Sequence, residues 1–348
     1  MKKVKAELLH NRVNSRELKE SVLKSNERRI TLSFYQYASI NNPNFFRDHL
    51  YKNFDELGVY GRVYVAREGI NAQINVPEER FNDLQQVLND INFLSHIRLN
   101  KAIEEPTVSF YKLIIKVKPK ILADGLNDET FDVTRKGKHL SAEAFNLLTE
   151  QEDTVVIDMR NHYESEVGHF EHAILPDVDT FRDSLPVVEE TLQEHKDKHI
   201  VMYCTGGIRC EKASAYFKHR GFEKVYQLEG GIIQYASEVQ EKGLKNKFRG
   251  KNFVFDERLG ERVSDEIISH CHQCGKPCDT HTNCSNDACN LLFIQCEECA
   301  RAYEGCCSVS CVEVARLPAE ERKAIRRKKH KNDRYFRKGR AAHLMKGS

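Results

Sequence analysis

The chain has 348 residues, 40% of them hydrophobic, and its 54 Lys and Arg nearly balance 52 Asp and Glu, so net charge alone selects no partner. No apolar run is long enough to span a bilayer, and the start Met1-Lys2-Lys3-Val4-Lys5 lacks the apolar stretch of a secretory signal. These facts exclude a membrane-spanning role and lead us to expect a cytoplasmic protein of two or three domains. Of 12 cysteines none precedes Cys204 and ten lie between Cys271 and Cys311, a clustering that favours metal over a disulfide scaffold.

Residues 1–125 read as a separate α+β unit. Strand-like runs occupy Arg29 to Tyr37, Gly61 to Ala66 and Ile70 to Val76, with amphipathic helices predicted from Asn44 to Leu57 and from Glu78 to Leu88. Further strands are expected near Ile97 to Leu99 and Val108 to Val117. The order β, α, β, β, α, β matches a ferredoxin-like split βαβ unit. Lys112, Lys116, Lys118 and Lys120 alternate along the last strand, which places a basic stripe on one face, suited either to edge protection or to RNA. Residues Asp124 to Lys138 read as the connection to the next unit.

Within residues 126–245 the central feature is Cys204-Thr205-Gly206-Gly207-Ile208-Arg209-Cys210, between the strand-like His199 to Tyr203 and the helix-like Cys210 to Arg220. A strand ending in a Gly loop before a helix points backbone N–H groups into one hollow at the positive end of a helix dipole. A sulfur anion placed there is stabilised, so Cys204 is expected to be a reactive thiol or persulfide, with Gly206 and Gly207 supplying positive φ and Arg209 a fixed charge at the rim. The alternative is a small buried core residue. Upstream stand the strand Thr154 to Ile157, then Asp158-Met159-Arg160, Glu164 and Gly168-His169-Phe170; downstream come Gly221-Phe222, Val225, Leu228 and Gly230-Gly231. This pattern resembles a rhodanese domain, which implies a parallel sheet with helices on both faces, Cys204 as sulfur nucleophile and structural roles for Asp158 and Arg160. One departure is that Ile232 and Tyr235 follow Gly230-Gly231, where many rhodaneses carry Trp. Only four residues separate Cys204 from Arg209, one fewer than in the phosphatases that resemble rhodaneses, so the loop suits sulfur better than phosphate.

Residues 246–315 form a linker and a Cys-rich module. Basic residues Lys245, Lys247, Arg249, Lys251, Arg258 and Arg262 surround Phe253-Val254-Phe255, a mixture that suits nucleic acid, while the two phenylalanines suit packing on the rhodanese core. Cys271-His272-Gln273-Cys274 and Cys296-Glu297-Glu298-Cys299 are two CxxC knuckles 21 residues apart, close to the spacing of a four-cysteine zinc ribbon. A second zinc would draw on Cys278, Cys284, Cys289 and one of Cys306, Cys307 or Cys311; thiolates also suit iron–sulfur clusters. Residues 316–348 carry 13 Lys and Arg against 3 acids, with Tyr335 and Phe336 among Arg334, Arg337 and Lys338, and read as a basic tail for nucleic acid.

The succession of an N-terminal unit carrying Arg67-Glu68-Gly69-Ile70-Asn71-Ala72-Gln73-Ile74, the Cys204 loop, Gly250-Lys251-Asn252-Phe253-Val254-Phe255-Asp256-Glu257-Arg258 and the cysteine cluster resembles the bacterial tRNA uridine(34) hydroxylase family. The resemblance implies that the chain uses O₂ as co-substrate to form 5-hydroxyuridine at the wobble position, with tRNA as partner and no DNA. On this reading Cys204, as thiolate or persulfide, adds to uracil C6 and activates C5; Arg209 and the N–H nest hold the sulfur anion or an enolate-like O4, or Arg209 instead grips a tRNA phosphate; and Cys210 either resolves an oxidised Cys204 or is a buried thiol of the first helical turn. No flavin, nicotinamide or facial-triad iron signature is visible, so the electron donor is unassigned. Two other readings use the same residues: a sulfurtransferase acting through Cys204 on tRNA or a thiol, and a non-enzymatic RNA-binding adaptor.

Overall fold

The computed structural model describes residues 15–25, 27–103, 108–128 and 130–328, together with Arg337, Lys338 and Leu344. A short helix α1 (Ser15–Lys24) precedes the N-terminal unit, which comprises β1 (Arg29–Tyr37), α2 (Pro43–Glu56), β2 (Tyr60–Ala66), β3 (Gly69–Pro77), α3 (Phe81–Asn89), β4 (Asn100–Lys101) and β5 (Leu113–Val117). The sheet order β4-β1-β3-β2 with antiparallel pairing is the ferredoxin-like arrangement, and β5 adds itself parallel to β2 at the far edge.

Strict alternation explains why this sheet has two unlike faces. Leu32 and Phe34 on β1, Val63 and Val65 on β2, and Ile70 and Ile74 on β3 point to one side. There they meet Leu50 and Phe54 of α2 and Leu84 and Leu88 of α3. Each such side chain removed from water stabilises the unit by roughly 1.5–3 kcal/mol before entropy is counted. Helix α2 is started by Asn42, whose side chain accepts from Phe45 N, with Pro43 at the first helical position. The opposite face carries Ser33, Tyr35, Arg62, Tyr64, Asn71 and Gln73, in register with one another.

Two expectations for this unit change. The final ladder partner of β1 is Asn100–Lys101 rather than Ile97 to Leu99, because Ile97 and Leu99 are drawn against the helix-side core. The four lysines do not form one stripe: Lys116 and Lys118 are exposed, Lys118 lying over the Tyr64 ring, while Lys120 turns inward to Asp124 Oδ1 at 2.6 Å and Leu126 O at 2.5 Å.

The central unit runs through β6 (Lys138–Leu140), α4 (Ala142–Leu148), β7 (Thr154–Asp158), α5 (His162–Ser165), β8 (Gly168–Phe170), α6 (Phe181–Leu192), β9 (His199–Tyr203), α7 (Ile208–His219), β10 (Val225–Leu228) and α8 (Gly231–Lys242). Strands β6-β10-β9-β7 are parallel throughout. Phe145 of α4 and Ile232 and Tyr235 of α8 cover one face; Leu185 and Val188 of α6 and Ala213 and Phe217 of α7 cover the other. Such sheets present their sites at the carboxyl ends of the strands. Tyr235 of α8 donates to Asn146 Oδ1 at 2.9 Å and accepts from Lys247 N at 2.9 Å.

Beyond it come β11 (Phe248–Asn252), β12 (Glu261–Arg262), β13 (His281–Asn283), β14 (Leu291–Ile294), α9 (Glu297–Ala302), α10 (Val309–Ala315), α11 (Ala319–Lys328) and β15 (Arg337–Lys338). Most of the linker cations are spent within the fold rather than left for nucleic acid. Lys247 Nζ bonds Asn146 O at 2.6 Å, Lys251 and Arg262 pair with Asp279 at 3.0 and 2.7 Å, Arg249 with Glu266 at 2.9 Å, and Arg258 with Asp256 and Glu261. Phe253 is buried against Tyr163 and His281, but Phe255 does not join the core and is 37% exposed. Of the basic tail, Arg326, Arg327 and Lys328 end α11; Lys329 to Phe336 lie outside the described residues. Among the described residues no helix is long and apolar enough to cross a membrane.

Candidate active site and two cysteine quartets

Cys204 follows β9 directly and is fully buried, its Sγ accepting from Gly207 N at 3.1 Å. Helix α7 starts at Ile208, two residues earlier than the pattern of side chains indicates, because Gly207 takes the left-handed conformation (φ 99°) that turns the chain. Gly206 keeps an ordinary φ, so only one of the two glycines is needed for the turn. The loop is clamped from behind: Ile232 N donates to Cys204 O at 3.0 Å and Ile233 N to Thr205 O at 3.2 Å. Gly231 makes that approach possible, since a Cβ there would sit 2.4 Å from Cys204 O.

Burial by itself pushes the Cys204 thiol up. It is outweighed by a hydrogen bond from the Cys210 thiol, the Arg209 charge, and the N–H groups of Cys210 and Arg209, which bring the thiol down to about 6. Cys210 moves the opposite way, held protonated by burial and by the sulfur anion it serves. Its position makes it first a hydrogen-bond donor.

Arg209 is less free than its place at the rim implied. Its guanidinium is forked onto Glu164 at 2.7 and 2.8 Å and reaches Thr205 Oγ1 at 3.2 Å, with both charged side chains buried. Glu164 is aimed there by α5, where it also accepts from Asn161 N at 3.1 Å. Arg209 therefore stabilises the loop and its sulfur, with its fork already occupied. Asp158 and Arg160 form a second fully buried fork at 2.6 to 3.1 Å, and Arg160 also donates to Gly168 O at 2.6 Å.

Cys204 opens on a cavity of about 320 Å³ whose roof is the polar face of the N-terminal sheet. Ser33, Tyr35, Tyr64, Asn71, Gln73 and Asn100 line it from above; Cys204, Thr205, Gly206 and Arg209 from below; Phe255 and Arg258 from the side. The two units are joined beside it. Lys212 of α7 is buried between Glu68, at 2.9 Å, and Asp124, while Tyr35 Oη reaches Glu211 at 3.2 Å. The roof was missed at the level of sequence, although polar Asn71 and Gln73 alternate with Ile70, Ala72 and Ile74 in the quoted motif. That alternation is the signal of a strand with one face committed to something other than a core.

The cysteine-rich module brings together two quartets, Cys271, Cys274, Cys296 and Cys299, and Cys284, Cys289, Cys307 and Cys311, each with its sulfurs within 4.8 Å of one another. Sulfur separations of 3.6 Å (Cys274–Cys296) and 3.7 Å (Cys289–Cys307, Cys307–Cys311) are far too long for disulfides. They fit the edges of a tetrahedron with Zn–S bonds of about 2.3 Å. Cys278 belongs to neither quartet: it is buried in the apolar core beneath the first, and its thiol is pushed up by that burial. Cys306 is likewise buried outside both. Among the nearby histidines, His272 bonds Glu166 at 2.7 Å, and burial lowers His281 to about 4.

A buried, acid-shifted cysteine at the carboxyl end of a parallel sheet, held by a Gly loop and a helix start, defines a rhodanese-type domain; here it is roofed by a ferredoxin-like one. Family models agree, matching a rhodanese-like domain over residues 141–238, a UPF0176 acylphosphatase like domain over 29–121 and a rhodanase C-terminal segment over 249–312. The chain belongs to the tRNA uridine(34) hydroxylase family: it is 53% identical to the member from Photorhabdus laumondii over 96% of this chain and 95% of that one. It is 54% identical to the member from an Enterobacter species over 96% of each. The solved rhodanese-like domain of an Anabaena protein is 20% identical over 32% of this chain and 78% of that chain, with a TM-score of 0.27.

Proposed function

We propose that this chain hydroxylates C5 of uridine 34 in tRNA, with Cys204 as the nucleophile. The observation that carries the reading is a thiol brought to about 6 at the floor of a polar-roofed cavity in a member of this family. In this reading the Sγ anion adds to uracil C6, which moves the C5–C6 π pair onto C5 and O4. C5 then forms its bond to one oxygen of dioxygen that the reductant has brought to the peroxide level, the O–O bond breaks with the second oxygen leaving as water, and loss of the C5 proton expels the thiolate and restores the ring. Overall, dioxygen, an electron pair from a reductant outside this chain, and protons yield the hydroxyl group and water. The N–H groups of Arg209 and Cys210 and the Cys210 thiol hold the sulfur anion before addition and after release. Arg209, occupied by Glu164, keeps the loop in shape. The cysteine quartets would each hold a structural zinc ion that cross-links the module. The basic tail would add phosphate contacts to tRNA, in the cytoplasm where tRNA is found, with no role for DNA.

The test is mass spectrometry of tRNA nucleosides after incubation with the protein, a reductant and isotopically heavy dioxygen. Label in 5-hydroxyuridine with the wild type and none with Cys204→Ala is expected; full formation by Cys204→Ala refutes the covalent role. The rhodanese-type loop also supports sulfur transfer from a Cys204 persulfide, which would appear in the same measurement as a thiolated nucleoside.

A further inference from the structure

Register across the N-terminal sheet sets Asn100 of β4, Ser33 of β1, Gln73 of β3 and Arg62 of β2 in one row, of which the first three line the roof of the Cys204 cavity. One end of the row touches the floor loop and the other the side wall. A methyl carbon on Gly206 would lie 3.6 Å from Asn100 Nδ2 and 3.7 Å from Ser33 Oγ, and Arg62 Nη1 donates to Phe255 O at 3.4 Å. Gln73 lines the cavity next to the small Ser33, is half-buried, and its side-chain amide makes no hydrogen bond among the described residues.

The two amides of the row differ in freedom. Asn100 is 4% exposed and its Nδ2 is tied to Gly206 O at 3.4 Å. A backbone carbonyl can only accept, so this contact sets Nδ2 toward Gly206 and leaves Oδ1 as a buried acceptor without a partner. Such an atom costs stability until a donor arrives. Gln73, by contrast, can present either end of its amide.

We propose that this row reads the edge of the target base: Asn100 Oδ1 accepts the uracil N3–H, and Gln73 bonds the neighbouring exocyclic group. Cytosine has an acceptor at N3, so the fixed acceptor of Asn100 refuses it, whereas Gln73 serves either base by rotating. Asn100 is thus the specificity-determining residue and Gln73 contributes affinity. This rests on the reading of uridine 34 as substrate.

The test is direct binding of the full chain, without reductant, to three synthetic anticodon stem-loops that carry uridine, cytidine or 3-methyluridine at position 34. Wild type is expected to bind the uridine hairpin about tenfold or more tighter than the other two, the worth of one base-edge hydrogen bond and its mispairing. Asn100→Ala should bring the three affinities together, and Gln73→Ala should weaken uridine and cytidine hairpins alike while keeping their ratio. Equal wild-type binding of uridine and 3-methyluridine hairpins overturns the proposal, as does a uridine preference that survives in Asn100→Ala. If Asn100→Ala melts too low to assay, the 3-methyluridine comparison on wild type decides alone. Hydroxylation of the uridine hairpin is measured separately with reductant; its absence defeats the function reading, whereas intact hydroxylation without base preference defeats only this one.

Discussion

Cys210→Ala removes the thiol that donates to Cys204, the foremost of the influences that overcome burial. A hydrogen bond to a charged acceptor contributes about 1.5–3 kcal/mol, and one pKa unit corresponds to about 1.36 kcal/mol, so Cys204 should rise from about 6 to roughly 7–8. At pH 7 the ionised fraction then falls from about nine-tenths to between a half and a tenth. Cys210→Ser keeps an O–H donor and should hold the lower value. The thiolate is the alkylated species, so the rate of iodoacetamide capture rises with pH through the folded pKa and levels off above it. Trypsin cleaves after Arg209 and separates the Cys204 peptide from that of Cys210, so peptide mass spectrometry follows Cys204 alone. A Cys210→Ala profile superimposed on that of wild type would refute the donor assignment. Because Ser donates a hydrogen bond but cannot form a disulfide, failure of Cys210→Ser only under oxidative turnover would instead establish the resolving role.

Glu164→Gln leaves the buried Arg209 guanidinium without its counter-charge and should cost about 3–5 kcal/mol, read as a lowered denaturation midpoint; a change within experimental error would contradict the fork as a structural element. Metal analysis should show that Cys284→Ser and Cys307→Ser each lose about one equivalent of zinc while Cys278→Ser loses none, and loss in Cys278→Ser would reinstate it as a ligand. Gly231→Ala drives a methyl group into Cys204 O at a positive φ and should abolish alkylation of Cys204 at neutral pH or unfold the central unit; wild-type reactivity would show that the clamp is dispensable. Removal of residues 322–348 should weaken tRNA binding and flatten its dependence on salt, and an unchanged slope would take the tail out of the interface.

What the sequence determined by itself was everything encoded in local pattern. Alternation marked β1 at the same residues the structure assigns, Arg29–Tyr37, and the strand–Gly loop–helix run marked Cys204, because period and glycine placement are short-range properties of the chain. Two CxxC knuckles announced the first quartet for the same reason. Tertiary structure alone decided the rest. Cys278 lies between the knuckles in sequence but faces the apolar core, while Cys311, some 20 residues beyond Cys289, closes the second quartet, because ligand sets depend on which way each sulfur faces after folding. The forking of Arg209 onto Glu164 joins residues 45 apart, and Lys251 and Arg262 converge on Asp279 from different points of the linker. The polar roof is the clearest case. Asn71, Gln73 and Asn100 are ordinary polar residues in the sequence, and only the closing of the two units makes them the lining of the cavity that Cys204 shares.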